Sequence, residues 1–386
     1  MLEFPVSILL ACLVIILTYL LRNTKTPRKL VISLISTLFV IVALMGTFTI
    51  KWLMTPLVIV SIPLMILSGI AAIRDYKAHR LPAFFSHTGF ALTFCAAMCG
   101  TADSERGQVI LYNHRPETQA FTADGHIMPL PFSITLDTFQ TDFYEDGTSP
   151  KMFRSQLTVN DQRLTTEVNA PAHYSGYALF QAGYDPHRNS YSIIEVVRDP
   201  WLPAVFAGML LLFIGSLLTL ARCWHSWKAW LVITTVAILF AIASMAKINL
   251  GTLMPALRNW LFVPHLIIYM MAYSMIAIVL VIKLFIRRFG DIADPMMVTA
   301  SQLLIIGMLF GAVWARMAWG DYWTWDAKEC WAAATWMTSL AYIHTDKSRT
   351  KARLWLIILT FAALQVTWYG VNHLPASQAS MHTYNR

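Results

Sequence analysis

The hydrophobic residues of this chain arrive in long blocks that are separated by short charged stretches. Each block is about as long as the roughly 20 residues that a helix needs to cross a bilayer. Ten blocks follow this pattern, at residues 5–21, 30–47, 53–73, 82–100, 202–221, 229–246, 263–285, 298–314, 330–343 and 355–369. The sequence therefore predicts about ten transmembrane helices.

One segment, 101–200, departs from this pattern. It is polar, and in places hydrophobic and polar residues alternate, as in Phe132-Ser133-Ile134-Thr135-Leu136. Alternation with a period of two is typical of strands that bury one face. The predicted fold class is therefore an all-α polytopic membrane protein with a small, mainly β extracytoplasmic domain.

Basic residues crowd alternate loops and so predict the orientation. The clusters lie at 22–29, 74–80, 222–228, 283–288 and 347–353, and loops rich in Lys and Arg normally face the cytoplasm. This places segment 101–200, the loop at 316–328 and the tail from residue 372 outside. We expect a multi-pass protein of the bacterial cytoplasmic membrane.

Composition narrows the function classes. Hydrophobic residues make up 57% of the chain and charged residues 13%, so the net charge of +8 is better explained by orienting loops than by nucleic acid. The five cysteines form no C-x-x-C pair, which excludes thioredoxin-like and zinc-ribbon sites, and no C-x-x-C-H site for covalent haem occurs. Cys95 and Cys99, one helical turn apart, are either a redox pair or, as we favour, small buried residues.

Tryptophan is concentrated in the outward loop after the eighth block. The motif residues are Trp319, Gly320, Tyr322, Trp323, Trp325, Asp326 and Glu329, followed by Trp331, Trp336, Tyr342 and His344. An interfacial aromatic belt is the plain alternative, but a belt needs neither a fixed pattern nor carboxylates among the indoles. A flat, apolar ligand with polar edges would need such a surface, and haem is a ligand of that kind.

Histidines occur at two depths of the predicted helices. His265 lies near the outer end and His382 lies on the outward tail, whereas His87 and His344 lie near the inner ends. Imidazole is a common ligand of haem iron. The alternative for each histidine is a neighbouring helix that satisfies it, but two inner and two outer histidines bracket one tryptophan-rich loop. We therefore favour ligands, and we assign the other histidines to surfaces.

The tryptophan-rich run resembles the WWD signature of haem-handling proteins, in the form of the CcsA branch of system II cytochrome c biogenesis. The flanks of His265 and the run Met381-His382-Thr383-Tyr384 are also similar to that branch. Pro131-Phe132-Ser133-Ile134 resembles the outer domain of the ResB partner. Ala327 stands where the CcsA pattern usually has proline.

The resemblance implies a ResB and CcsA fusion. Its parts would be an N-terminal transmembrane region at 1–100, ResB-like from about residue 82, a ResB-like β domain at 101–200, a closing helix at 201–222, and a CcsA-like domain at 223–386 with its WWD loop at 316–331. His87 and His344 would receive haem b within the membrane, the loop would hold it outside, and His265 and His382 would ligate its iron.

The implied activity is that of a holocytochrome c synthase. Haem b would be exported and joined through thioethers to the C-x-x-C-H site of apocytochrome c, with a thioredoxin-like thiol reductant as a further partner and without nucleic acid. Asp326 and Glu329 belong either to the haem-binding loop or to a helix N-terminus, where Asp326 would be an ordinary N-cap. Two other functions stay open: a haem exporter or relay without ligation activity, and a b-type haem electron-transfer subunit.

Overall fold

The computed structural model describes residues 56–185, 190–223, 235, 253–286 and 290–373. The crossings predicted at 5–21 and 30–47 lie outside these residues, and so does the one predicted at 229–246 except for residue 235. The other seven predicted crossings each correspond to a helix in the described part of the chain. These helices are α1 (Pro56–Lys77), α2 (Leu81–Asp103), α3 (Leu202–Cys223), α4 (Phe262–Phe285), α5 (Gly290–Trp319), α6 (Ala327–His344) and α7 (Thr350–Trp368).

Five of these helices are long and apolar enough to span a membrane. They are Leu81–Gly100, Leu202–Cys223, Phe262–Phe285, Asp291–Trp319 and Thr350–Trp368, found within the described residues. The chain is therefore a multi-pass membrane protein.

Helix α6 is the most polar of the described helices. Its polar side chains are tolerated because they face other helices of the protein. Thr335 and Ser339 are almost fully buried. The Ser339 hydroxyl donates a hydrogen bond to the Ser301 hydroxyl of α5 at 2.9 Å. Buried hydroxyl groups that find partners on a neighbouring helix are tolerated at membrane depth.

Helices α2 and α3 approach so closely that glycine is required between them. A Cβ atom at Gly89 would lie 2.5 Å from the backbone nitrogen of Leu212, and the carbonyl oxygen of Gly208 lies 2.6 Å from the same point. Small residues are what allow transmembrane backbones to meet in this way. This contact holds the helix that enters the outer domain against the helix that leaves it.

The segment between α2 and α3 forms one antiparallel sheet of eight strands. The strands are β1 (Glu105–Tyr112), β2 (Pro116–Phe121), β3 (Ile127–Phe143), β4 (Pro150–Val159), β5 (Gln162–Glu167), β6 (Ala172–Tyr174), β7 (Tyr177–Tyr184) and β8 (Tyr191–Arg198), in the order β5-β4-β3-β2-β1-β8-β7-β6. The sheet curls, so that the Thr166 hydroxyl of β5 donates to the Leu179 carbonyl of β7 at 2.7 Å.

The core of this β domain confirms the predicted alternation of inward and outward residues. Ile134 and Leu136 are fully buried on β3, and Leu111 on β1, Leu157 on β4 and Ile194 on β8 are fully buried as well. Residues two apart on a strand share a face, which is why one face of the curled sheet is apolar.

The β domain is fastened to the short 3₁₀ helix Pro255–Leu257 that precedes α4. The Asn169 side chain donates to the Pro255 carbonyl at 3.0 Å, and the Tyr144 hydroxyl donates to the Leu253 carbonyl at 2.9 Å. These contacts place the β domain over one end of the bundle, which we call the outer end. The opposite end is called the inner end.

Candidate functional site

The tryptophan-rich loop at 320–326 lies between α5 and α6 and beneath the β domain. Gly320 has a φ of +92°, and a Cβ atom there would lie 2.9 Å from the Phe180 ring of β7. Trp325 also has a positive φ, of +62°. A bulky residue in the left-handed region is strained and persists only where its surroundings hold it.

Glu329 and Asp326 hold the end of this loop. Asp326 accepts a hydrogen bond from the Glu329 backbone N–H at 2.8 Å, which confirms the N-cap interpretation. Glu329 in turn accepts from the Thr324 backbone N–H at 2.7 Å and from the Thr324 hydroxyl at 3.2 Å. Both carboxylates therefore fix the backbone that carries Trp323 and Trp325.

The indole rings occupy the space around the loop. Trp323 and Trp325 meet edge to face with ring centroids 5.8 Å apart, and Tyr322 stacks with Phe206 of α3 at 6.5 Å. Trp319 and Trp336 are buried, while Trp331 on α6 is half-buried. This arrangement provides apolar ring faces at the junction of α3, α5 and α6.

Two buried indole nitrogens have no hydrogen-bond partner within the described residues. They are Nε1 of Trp323 in the loop and Nε1 of Trp336 on α6. Buried donors without a partner are uncommon, because each costs about 1 to 3 kcal/mol. Their presence fits a ligand that brings acceptor groups or a π surface to this region.

The two predicted inner histidines lie side by side. His87 on α2 and His344 on α6 have ring centroids 6.2 Å apart. Two imidazoles that each bond one metal at about 2 Å are separated by a distance of this size. On the same two helices, Phe90 and Trp336 also meet, with ring centroids 6.0 Å apart.

Hydrogen bonds fix the tautomer of both inner histidines. Nδ1 of His87 lies 2.7 Å from a carboxylate oxygen of Asp75, and Nδ1 of His344 lies 2.8 Å from the Leu340 carbonyl oxygen. Since these oxygens accept, each Nδ1 carries the proton, and Nε2 carries the lone pair that a metal needs. The residues present therefore fit the iron of haem.

Asp75 was not singled out from the sequence. It lies in the last turns of α1, its side chain is 2% exposed, and it also pairs with Arg80. A carboxylate that accepts from a histidine ligand orients the ring and raises its basicity. The predicted block ended at residue 73, so Asp75 fell in a basic loop, where a carboxylate is ordinary, and no feature of the sequence marked it.

His265 lies in the first turn of α4 and packs on the backbone of α5. Its Nδ1 donates to the Gly307 carbonyl at 2.8 Å, and a Cβ atom at Gly311 would lie 2.7 Å from its ring. Tyr269 and Trp314 contact the ring edge to face. Again Nε2 is the nitrogen with the lone pair. The predicted partner, His382, lies outside the described residues.

An ion-pair network that the sequence did not reveal joins the β domain to the loop. Arg106 of β1 contacts Glu195 of β8 at 2.9 Å and Asp321 of the loop at 2.6 Å. Burial raises the pKa of both carboxyls, and Arg106 opposes that rise. The same guanidinium lies 3.5 Å from the Trp319 carbonyl oxygen.

The cysteine interpretation needs a correction. Cys95 is exposed on α2 and Cys99 is half-buried, because this face of α2 is turned away from the protein core. The expectation of a buried small residue is therefore wrong for Cys95. Neither cysteine forms a disulfide in the structure, and a redox role stays a prediction.

Two family models match this chain in succession. Residues 69–194 match the ResB-like family, and residues 201–377 match the cytochrome C assembly protein family. The first match covers the inner end of α1, α2 and most of the β domain. The second covers the tryptophan-rich loop together with His265 and His344.

Curated relatives share shorter stretches. The chain is 45% identical over 85 residues to the cytochrome c biogenesis protein CcsA of Guillardia theta, which is 21% of this chain and 27% of that protein. It is 34% identical over 101 residues to CcsA of Synechococcus sp. (strain RCC307), covering 25% of this chain and 32% of that protein. The chain thus matches about a third or less of these relatives' length.

Proposed function

We propose that this chain, a ResB and CcsA fusion of the system II type, exports haem across the bacterial cytoplasmic membrane and attaches it to apocytochrome c. A role in cytochrome c biogenesis is supported by the two family matches and by the CcsA relatives. The proposal adds haem b as the substrate, the C-x-x-C-H site of the apocytochrome as its acceptor, and holocytochrome c synthase as the activity. The β domain, the loop at 316–331 and the tail would face outward.

The pairing of His87 with His344 is the observation that carries the proposal. The two residues are 257 positions apart in sequence and come from the ResB-like and CcsA-like parts respectively, yet their ring centroids lie 6.2 Å apart. Histidines within a bilayer are seldom present without a function. The fusion of the two parts therefore completes a site that neither part has alone.

Haem would move from this inner pair to the outer site. There the indoles would hold its ring plane, and His265 with His382 would ligate its iron. The aromatic contact of Phe90 with Trp336 lies on the outward side of the histidine pair and offers ring faces along that direction.

The joining step is an addition that needs position more than acid–base chemistry. The sulfur of each acceptor thiol bonds to a vinyl carbon of haem, and the thiol proton ends on the neighbouring carbon, so nothing is oxidised or reduced. Holding vinyl and thiol within bonding reach is the main contribution of the protein. The acceptor thiols must be reduced, which is the part we assign to a thioredoxin-like reductant.

The proposal is tested by expressing the chain with an apocytochrome in a bacterial host that lacks its own maturation genes. We expect haem that survives a denaturing gel on the cytochrome. His87→Ala, His344→Ala and His265→Ala should reduce it strongly, whereas His126→Ala, at an exposed position of the β domain, should not. Normal yields from all three variants would refute the assigned ligands.

A b-type electron-transfer subunit is the second candidate, and the inner pair itself favours it. Permanent haem centres in membranes use two histidines from neighbouring helices, and His87 and His344 likewise come from two helices with their rings 6.2 Å apart. In that case haem would stay on this chain through many reduction cycles. A relay without ligation would instead release haem with no covalent product.

A further inference from the structure

Two adjoining cavities open at the inner end of the bundle. The larger has a volume of about 700 Å³ and is lined by residues from the ends of α3, α5, α6 and α7, with His344 in its wall. The smaller, of about 250 Å³, shares Asp294, Tyr342, Lys347 and Arg353 with it. Together they form one recess, which we call the inner recess.

The lining of the inner recess is strongly basic. It contains five basic side chains and two carboxylates, so its net charge is three positive: Arg222, Lys283, Lys347, Lys351, Arg353, Asp294 and Asp346. Asp294 is already neutralised, because Arg353 lies 2.8 Å and Lys283 lies 3.3 Å from its carboxylate. An anionic ligand would complement the positive charge that Asp294 and Asp346 leave unbalanced.

Three of these cations have no carboxylate partner in the described part of the chain. They are Arg222 at the end of α3, Lys347 after α6 and Lys351 on α7, all exposed at the mouth of the recess. Basic residues at the inner ends of helices often serve only orientation. Orientation does not explain why they surround a recess beside His344, nor why Arg353 is buried with its guanidinium 4.1 Å from the Tyr342 ring.

We propose that the inner recess binds the carboxylate groups of the haem that His87 and His344 receive, with Arg222 and Lys347 as their cationic contacts. The inference rests on the proposed function, and it adds a second recognition element to the iron site. Haem carries its two propionates along one edge and its vinyl groups away from that edge. The recess would therefore orient haem with the propionates inward and the vinyl edge leading outward.

The test compares haem with its dimethyl ester, in which both carboxylates are blocked and the iron is unchanged. The full chain is purified into nanodiscs of phosphatidylcholine, and the dissociation constant of each ligand is measured by absorbance. We expect the unaltered chain to bind haem at least about tenfold more tightly than the ester, which is about 1.4 kcal/mol.

The double variant Arg222→Gln with Lys347→Gln should lose about that tenfold preference while its affinity for the ester stays unchanged. A control with the same loss of charge, Lys77→Gln with Arg163→Gln, alters exposed residues outside the recess and should keep the preference. Haem and its ester partition differently into lipid. Comparing the haem-to-ester affinity ratio of each variant with that of the unaltered chain cancels this contribution.

Equal affinity of the unaltered chain for haem and ester would overturn the inference, even if both ligands still showed histidine-ligated spectra. Repeating the measurement in nanodiscs of phosphatidylglycerol, an anionic lipid, distinguishes binding of haem carboxylates from binding of lipid headgroups. If that lipid abolishes the preference, the recess is a headgroup site and the inference fails; if the preference persists, it is supported. His344→Ala tests the proposed function separately. If the absorbance spectrum of bound haem were unchanged in that variant, His344 would not be an iron ligand.

Discussion

Replacing Arg106 with glutamine removes the cation that lies between the β domain and the tryptophan-rich loop. Arg106 bonds Glu195 at 2.9 Å and Asp321 at 2.6 Å, with side-chain exposures of 35%, 11% and 34% for the three residues. A fully buried pair that loses one partner costs about 3 to 5 kcal/mol, and an exposed pair costs about 0.2 to 1. With solvent screening of the half-exposed groups, we expect about 1 to 3 kcal/mol.

That free energy holds the loop against the β domain. Its loss should lower the equilibrium constant for docking about 5- to 150-fold. Amide hydrogen exchange of peptides from 320–326 should therefore quicken in Arg106→Gln. The matched control is Arg154→Gln, which breaks the pair with Glu167 between β4 and β5 and leaves the loop contacts intact.

The effect should depend on pH in a defined direction. Burial raises the folded-state pKa of Glu195 and Asp321 above their usual values, and removing Arg106 raises both further. A carboxyl with a raised folded-state pKa contributes stability that is present below its unfolded pKa and is lost as the pH rises through the folded pKa. Acidification from about pH 8 to about pH 5 should thus restore loop protection more in Arg106→Gln than in the unaltered chain.

Exchange must be corrected for its intrinsic dependence on pH before this comparison. Unchanged protection of the loop in Arg106→Gln, or equal loss of protection in Arg154→Gln, would refute the role of the ion-pair network in holding the loop.

Three further substitutions test the site residues. Asp75→Asn removes the charge beside His87 and should raise the midpoint potential of bound haem, since the ligand becomes less basic. Gly311→Ala places a Cβ atom 2.7 Å from the His265 ring and should lower haem attachment, although alanine favours the helix by about 1 kcal/mol. Glu329→Ala leaves a loop amide without its acceptor, costs about 1 to 3 kcal/mol, and should lower both attachment and loop protection.

Each of these has a control. Arg80→Gln keeps the Asp75 carboxylate on His87 and should not raise the midpoint potential. Gly69→Ala meets no atom within 4 Å and should leave attachment unchanged. Glu329→Gln keeps an acceptor oxygen and should retain most of the yield, so a full loss there would indicate that the charge itself is needed.

Local patterns predicted the features that local physics determines. The alternation around Phe132 and Leu136 records which strand face is buried, and the structure shows that burial. The blocks of apolar residues located the described helices, but hydropathy shortened α5 to 298–314, because polar residues such as Asp294 and Arg316 lie near its ends. Asp294 is satisfied there by cations from α4 and α7.

Contacts between distant segments could not be predicted in the same way. Depth along a helix placed His87 and His344 near the inner ends, but only the packing of α2 near α6 brings their rings together. Arg106 and Asp321 are 215 residues apart, and no periodicity records their ion pair. Gly307 and Gly311, which contact His265, are four residues apart in the sequence. That spacing is typical of helix contacts, but it does not indicate which residue packs there.

The most direct measurement is a reaction with purified components. The full chain, loaded with haem and reduced chemically, is mixed with a reduced apocytochrome that carries C-x-x-C-H, and the products are separated on a denaturing gel and stained for haem. We expect haem to leave this chain and to migrate with the cytochrome, and we expect no covalent product when both acceptor cysteines are replaced by alanine. Haem that stays on this chain, with no covalent product while the apocytochrome remains reduced, would contradict the synthase and favour the electron-transfer subunit.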